Sequence, residues 1–303
     1  MPFTLIKGSY HVTGYAPDGD SIRFAPDDPT LLDGLTGPPA ELNAKLHTQL
    51  RIEAIDALET HYRPPGAKGN LHQPRAFGTA ARDELLRFLG IGNVQWNEGE
   101  TQVESADDGV PGHILVRSTD KYGRPIAFVH AGEAAEQDGA AVVLKAARAK
   151  ASYNYHALAT GLAYPTFYTG LFSDLRAAFA AAARTAREKR LGLFAKDATN
   201  RAFHATKLSD ITEDAVILPK LFRRLSTYLV QKHRLKGFKA ALAESREPLL
   251  DLTDSHFTHF DTFIEEDDAK GTLRLTRLPE ELVFDEMRTR PGEPFVAVMT
   301  GRR

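Results

Sequence analysis

Short runs in which apolar and polar residues alternate dominate the first 130 positions. They predict strands at "YHVTGYA" (10–16), "SIRFAP" (21–26), "TQLRIEAID" (48–56), "NVQWNEG" (93–99), "HILVRST" (113–119) and "PIAFVHA" (125–131). Helical spacing replaces alternation in "TAARDELLRFLG" (79–90), where Leu85, Leu86 and Leu89 share a face and Gly90 serves as a C-cap. It recurs in "NYHALATGLA" (154–163) and "LRAAFAAAARTAREKRLGLF" (175–194). Strands first and helices afterwards predict an α+β domain whose small sheet closes into a barrel to hide its edges. Of the polar interruptions, 27–46 and 62–75 carry Pro and Gly and read as loops, and 131–150 reads as holding a short helix.

The pattern changes near Asn200. "ILPKLFRRLSTYLV" (217–230) places Leu218, Leu221, Phe222, Leu225, Tyr228 and Leu229 at helical spacing behind Pro219, a residue suited to a helix start. "GTLRLTRLPEELVFDEM" (271–287) reads as a strand and then a helix opened by Pro279. The expected organisation is a first domain over 1–200 and a smaller accessory domain over 205–303, α/β or mostly helical, with the boundary between Lys196 and Leu208.

Alternation also exposes an anomaly. In "PDGDSIRF" (17–24) a Pro17-Asp18-Gly19 turn feeds a strand whose row holds Asp20 with Ile22 and Phe24. In "QLRIEAIDALET" (49–60) Asp56 continues the row of Leu50, Ile52 and Ala54, and Glu59 follows it. A carboxylate aimed along an apolar face needs a metal ion, an arginine or a proton. The plainer alternative is a terminal Asp that caps the next turn through its own backbone. Two such carboxylates from separate segments suit a hard cation, Ca2+ or Mg2+, with the Ala57 carbonyl as a third oxygen and Glu59 as the general base on a water. Arg51, in the same segment, and Arg124, which follows the turn at 120–123, are candidate guanidinium forks for a phosphate, although either alone reads equally as a salt-bridge residue.

Composition narrows the chemistry. The 303 residues include no cysteine, which excludes disulfides, thiolate catalysis and cysteine-ligated zinc or iron–sulfur sites, so any metal must sit on oxygen or imidazole. Lys+Arg 38 against Asp+Glu 40 gives −2, which excludes a polycation that coats nucleic acid indiscriminately. Locally, 215–243 holds no acid but carries Lys220, Arg223, Arg224, Lys232, Arg234, Lys236 and Lys239. This helix, 218–239, is either a second phosphate-tracking surface for DNA or RNA or a solvated amphipathic face. His256 and His259 in "DSHFTHFD" read as surface residues rather than a metal pair, and His61 and His72 as loop residues. The opening residues lack the charged start and apolar run of a signal peptide, and the longest apolar run (177–183) is too short to span a bilayer. The chain is therefore expected in the cytoplasm without a membrane partner, or secreted should a leader precede it.

The ordered series "DGDSIRF", "RIEAIDALE", "FGTAARDELLRFL", "DKYGRPIAFV", "YNYHALATGLAYP" and "AREKRLGLF" resembles the staphylococcal (thermonuclease-like) nucleases over about residues 9–198. That resemblance implies a five-stranded OB-fold barrel with three helices and a Ca2+-dependent phosphodiesterase activity on DNA and RNA. Water attacks in line and the 5′ oxygen leaves, giving 3′-phosphates. It implies one Ca2+ held by Asp20, Asp56 and Ala57, phosphate on Arg51 and Arg124, and Glu59 as the base. Lys121 and Tyr122 would line a terminal phosphate, and Tyr164, Phe167 and Tyr168 of "YPTFYTG" would stack on a base. The chain departs from the family's D-(T/A)-P-E at Leu58, where the family has proline, which puts the aim of Glu59 in question. The competing expectation is a non-catalytic nucleic-acid- or protein-binding scaffold of the same fold.

Overall fold

In the computed structural model, which describes residues 2–285, five strands close on themselves. They are β1 (Phe3–His11), β2 (Ser21–Pro26), β3 (Thr48–Ile52), β4 (Val110–Thr119) and β5 (Pro125–Ala131). Their order is β2-β3-β5-β4-β1, and β1 returns to pair with β2, with Gly8 opposite Pro26 and His11 opposite Arg23. Neighbours are antiparallel except β3 and β5, where Arg51 lies beside Ile126. Alternation supplies the inner surface: Ile22, Phe24, Leu50 and Ile52 are buried, whereas Ser21, Arg23, Gln49 and Arg51 are half-buried. The first strand begins at Phe3, upstream of the predicted start, because Leu5 and Ile6 are both buried and break the period of two. Only Gln95–Trp96 of the predicted 93–99 strand is realised.

Helices α1 (Arg75–Leu89), α2 (Tyr153–Ala159) and α3 (Ser173–Glu188) pack on this barrel through Leu85, Leu86, Leu158 and Phe179. Gly90 ends α1 at φ 84°, a left-handed cap that any side chain would resist. The result is a mixed α+β architecture. No helix among the described residues is long and apolar enough to cross a membrane.

Beyond Asn200, α4 (Pro219–Lys232) and α5 (Phe238–Ser245) accompany two small sheets, so the region is mixed rather than mostly helical. One sheet joins Phe203–His204, Thr272–Leu275 and Ile264–Asp267; the other joins Phe167–Tyr168, Leu282–Phe284, Pro248–Asp251 and His256–His259. Pro279 opens only the 3-10 turn Pro279–Glu281, not a helix. Leu282, Val283 and Phe284 are buried in succession, which suits a strand covered on both faces and defeats a helical stripe. Residues 286–287 of the predicted helix, and the predicted accessory domain from 286 to 303, lie outside the described residues.

The Lys196–Leu208 stretch is not a gap in packing. Leu58, Tyr164, Ala186, Leu193 and Phe194 share an apolar cluster with Leu218, Leu221 and Phe222. Phe167–Tyr168 runs parallel to Leu282–Phe284, and Arg187 of α3 bridges Asp197 and Glu280, at 2.7 Å each.

Candidate active site

A cleft of about 650 Å3 lies between the barrel and α4. One wall carries Asp18, Asp20, Arg51, Asp56 and Glu59 with Lys121, Tyr122 and Arg124 from the β4–β5 turn; the other carries Lys220, Arg223, Arg224 and Glu247.

Gly19 determines how Asp20 enters this cleft. A Cβ on Gly19 would lie 2.6 Å from Ala81 Cβ and 2.7 Å from Ala57 Cβ, and the Tyr153 hydroxyl donates to the Gly19 carbonyl at 3.1 Å. Only glycine lets the turn press this closely on α1. Asp20 Oδ2 then accepts the Ala57 N–H at 3.1 Å, which seats its carboxylate beside Asp56.

Asp56 reaches the cleft by a route that alternation does not describe. The strand β3 stops at Ile52, Ala54 turns at φ 70°, and a separate strand, Ile55–Ala57, pairs with Ala163–Pro165. The buried Asn154 holds this bend, since its Nδ2 donates to the carbonyls of Glu53 (2.8 Å) and Ala127 (3.0 Å) while its Oδ1 accepts the Val129 N–H (2.9 Å). Ile55, Asp56 and Ala57 are all buried, so the row from Leu50 to Asp56 does not exist. Leu58, the departure from the family pattern, is wholly buried with Leu221 and Phe222 of α4. The Glu59 N–H donates to Gln73 Oε1 (3.2 Å), and Gln73 Nε2 donates to the Ile217 carbonyl (2.7 Å), so one buried amide ties the Glu59 turn to the entry of α4.

From α4, Arg223 grips the acids directly. Its Nη1 donates to Asp56 Oδ1 at 3.0 Å and its Nη2 to Asp56 Oδ2 at 2.7 Å, while Nη1 also donates to Glu59 Oε1. Acid remains in excess. Burial, reinforced by repulsion from Asp56 and Glu59, pushes Asp20 up to about 7. Burial and then Asp20 raise Asp18 likewise, and burial raises Glu59 to about 7 against the pull of Arg223.

The cationic side is built from turns and stacks. Asp120 anchors the β4–β5 turn: Oδ1 accepts the N–H groups of Tyr122 (2.9 Å) and Arg124 (3.0 Å), and Oδ2 accepts Arg124 Nε (2.8 Å). The Arg124 side chain stays 36% exposed, and Tyr122 is 60% exposed with Lys121 Nζ 4.9 Å from its ring centre. The Arg51 guanidinium lies 4.3 Å from the Tyr168 ring centre. Burial raises the Tyr168 hydroxyl, yet the charges on Lys220 and Arg51 outweigh it and bring it below its ordinary value.

Eight of the residues given metal, phosphate, base or stacking roles from the sequence therefore meet in one cleft: Asp20, Arg51, Asp56, Glu59, Lys121, Tyr122, Arg124 and Tyr168. Ala57 adjoins it through the N–H given to Asp20. Tyr164 and Phe167 do not line it. Both are wholly buried, and the Tyr164 hydroxyl donates to Asp197 Oδ1 at 2.7 Å, so neither ring is open to a base. The basic stretch is likewise not a plain solvated face: Lys220 pairs with Glu247 at 2.7 Å, Arg224 meets Glu247 at 3.0 Å and Arg223 faces the barrel acids, whereas Lys232, Arg234, Lys236 and Lys239 are exposed. His61 lines the cleft, while His256 and His259 sit exposed on their strand. Sequence reasoning missed Gln73, Glu247 and the pairing of Arg223. The available signal was an acid-free run whose cations interleave with core positions on one helix.

Among the described residues no group of three His, Asp or Glu side chains is disposed to hold a metal ion. The donors present are of the type a hard cation takes, since burial and neighbouring acids crowd the Asp20 carboxylate with negative charge, while both oxygens of Asp56 are engaged by Arg223. No protein-family model matches the chain, and no curated protein matches it.

Proposed function

We propose that the cleft is the active site of a Ca2+-dependent nuclease built on an OB-type barrel, which hydrolyses phosphodiester bonds of DNA, RNA or both. The observation that most supports this reading is the convergence of Asp20, Asp56 and Glu59 with Arg51 and Arg124 in one cleft. Asp20, Asp56 and the Ala57 carbonyl would hold the ion, which when bound supplies Lewis-acid charge to a phosphoryl oxygen. Arg51 and Arg124 present guanidinium forks to the non-bridging oxygens, where negative charge grows in the transition state and fixed positive charge is worth more than in the ground state. Glu59 accepts a proton from the attacking water as the phosphorus–5′-oxygen bond breaks; the 5′ oxygen leaves with the electron pair and takes a proton from solvent to become a hydroxyl, and a 3′-phosphate remains. Lys121 and Tyr122, at the exposed rim, face a terminal phosphate, and the Tyr168 ring is the candidate platform for a base.

The test is digestion of matched single- and double-stranded DNA and RNA in Ca2+ or EDTA. Cleavage in Ca2+, its loss in EDTA, and a fall of about two orders of magnitude in Glu59→Gln and Arg124→Ala are expected. A wild-type protein as inert as those variants overturns the reading. A second reading, a scaffold that binds nucleic acid or protein without cutting, is favoured by the engagement of Asp56 and Glu59 with Arg223. It predicts retention of oligonucleotides in EDTA with no products in Ca2+. In either case Lys232, Arg234, Lys236 and Lys239 are the candidate second contact for phosphates, checked by the salt dependence of binding after their replacement.

A further inference from the structure

Arg223 lies 164 residues from Glu59 in the chain, yet its guanidinium occupies both oxygens of Asp56 and one of Glu59. Resting on the reading of this cleft as a cation-assisted phosphodiesterase site, we propose that Arg223 is a built-in competitor of the divalent cation, holding the carboxylates when no ion is bound and releasing an Asp56 oxygen when one binds.

Three observations carry the assignment. The contact to Asp56 is bidentate and takes a lone pair on each oxygen, so an ion placed on Asp56 would sit directly against the guanidinium charge unless one of the two bonds opens. The helix behind Arg223 is fixed: Leu221, Phe222, Leu225 and Leu229 are buried, Gln73 ties Ile217 to the Glu59 turn, and the Tyr62 hydroxyl meets Thr227 Oγ1 at 3.2 Å. Release is therefore a rotation of one long side chain, itself 24% exposed to the cleft, rather than a movement of α4. Finally, Glu247 is already held by Lys220 and Arg224, so a displaced guanidinium finds Glu59 or an incoming phosphate as its acceptor. The same side chain that blocks the ion then becomes a further anchor for the substrate.

The test needs no nucleic acid. Ca2+ is titrated calorimetrically into the full chain as wild type, R223Q and R223K, and thermal unfolding of each is followed with and without Ca2+. About tenfold tighter binding is expected for R223Q. An intermediate affinity is expected for R223K, whose ammonium is a single point charge without the planar fork. Ca2+ should raise the unfolding midpoint of R223Q more than that of wild type. Equal or weaker affinity in R223Q, or no Ca2+ binding by any of the proteins, overturns the proposal; should R223Q fail to fold, R223K decides between the same outcomes. Cleavage assays on the same proteins separate this proposal from the functional reading beneath it. Tighter Ca2+ binding without any cleavage leaves the competitor in place and removes the nuclease, whereas Ca2+-dependent cleavage with unaltered affinity in R223Q does the reverse.

Discussion

Two guanidinium groups bridge the first and second parts of the chain, and each spans two carboxylates. Arg187 of α3 holds Asp197 and Glu280, and Arg223 of α4 holds Asp56 and Glu59. Around Arg187 the acids are covered, although the arginine side chain itself is 20% exposed. Glu280 is wholly buried, Asp197 also accepts the Tyr164 hydroxyl and the Thr199 N–H, and the Phe194 ring lies 4.5 Å from the guanidinium carbon. Around Arg223 the bridge opens onto a cleft, and Asp18 and Asp20 add acid that no single guanidinium balances. The same ion-pair chemistry thus makes a structural tie where packing closes over it and a chemically demanding site where solvent and surplus carboxylates remain.

The sharpest way to break this contrast is to delete the enclosed tie. Arg187→Ala leaves the buried Glu280 with Arg184 alone, at 4.0 Å, and should lower unfolding stability in urea by about 3 kcal/mol, while the Ca2+ binding proposed for the cleft is retained by the folded fraction. A loss below about 1 kcal/mol would place the two bridges in one class. On the open side, the proposed nuclease activity predicts that Arg51→Ala costs on the order of 3 kcal/mol in the barrier to cleavage, read as a fall of roughly two orders of magnitude in turnover.

Acidity separates the regions further. Asp18, Asp20 and Glu59 bind protons more tightly folded than unfolded, so their contribution to stability is complete below the ordinary carboxylate range near about 4 and is lost as pH rises through about 7. Across the cleft the sign reverses: burial would raise Glu247, but Lys220 and Arg224 hold it down to about 2, so its contribution is present above about 4 and is lost as pH falls toward 2. Urea midpoints measured across this range should therefore fall on both sides, with Ca2+ restoring the alkaline side and Glu247→Gln flattening the acid side. A profile level from about pH 5 to 8 without Ca2+ would contradict the crowding of the acids. The smallest effect is expected from Tyr164→Phe, which removes the hydrogen bond to Asp197 and should cost about 1 kcal/mol of stability.

Where one face of a strand is buried, the pattern of residues was sufficient: Ile22, Phe24, Leu50 and Ile52 lie inside, as their spacing implies. It failed where the backbone changed course. Ala54 in the left-handed region ends the period of two, and the amide that stabilises this turn, Asn154, sits 101 residues from Glu53. Pro279 fails for a related reason, since a proline suits the first turn of a 3-10 segment as well as that of an α-helix, and the buried Leu282–Phe284 run then favours a strand. Aromatic side chains were legible as apolar but not as core or cleft, so Tyr168 and Tyr164 looked alike until strand Ala163–Pro165 proved buried throughout. Leu58 reads as a lost proline in isolation; packed against α4 it is a plug between the two parts of the molecule.

The parallel pairing of Phe167–Tyr168 with Leu282–Phe284 also sets a schedule for biosynthesis. As the ribosome delivers the polypeptide N-terminus first, the five barrel strands are all available once Ala131 has emerged. Asp56 and Glu59 must wait for Arg223, and Tyr168 waits longer still for the strand that will lie beside it. A ribosome stalled before α4 is translated would display Asp56 and Glu59 without Arg223, so the cleft is completed only after α4 has been made.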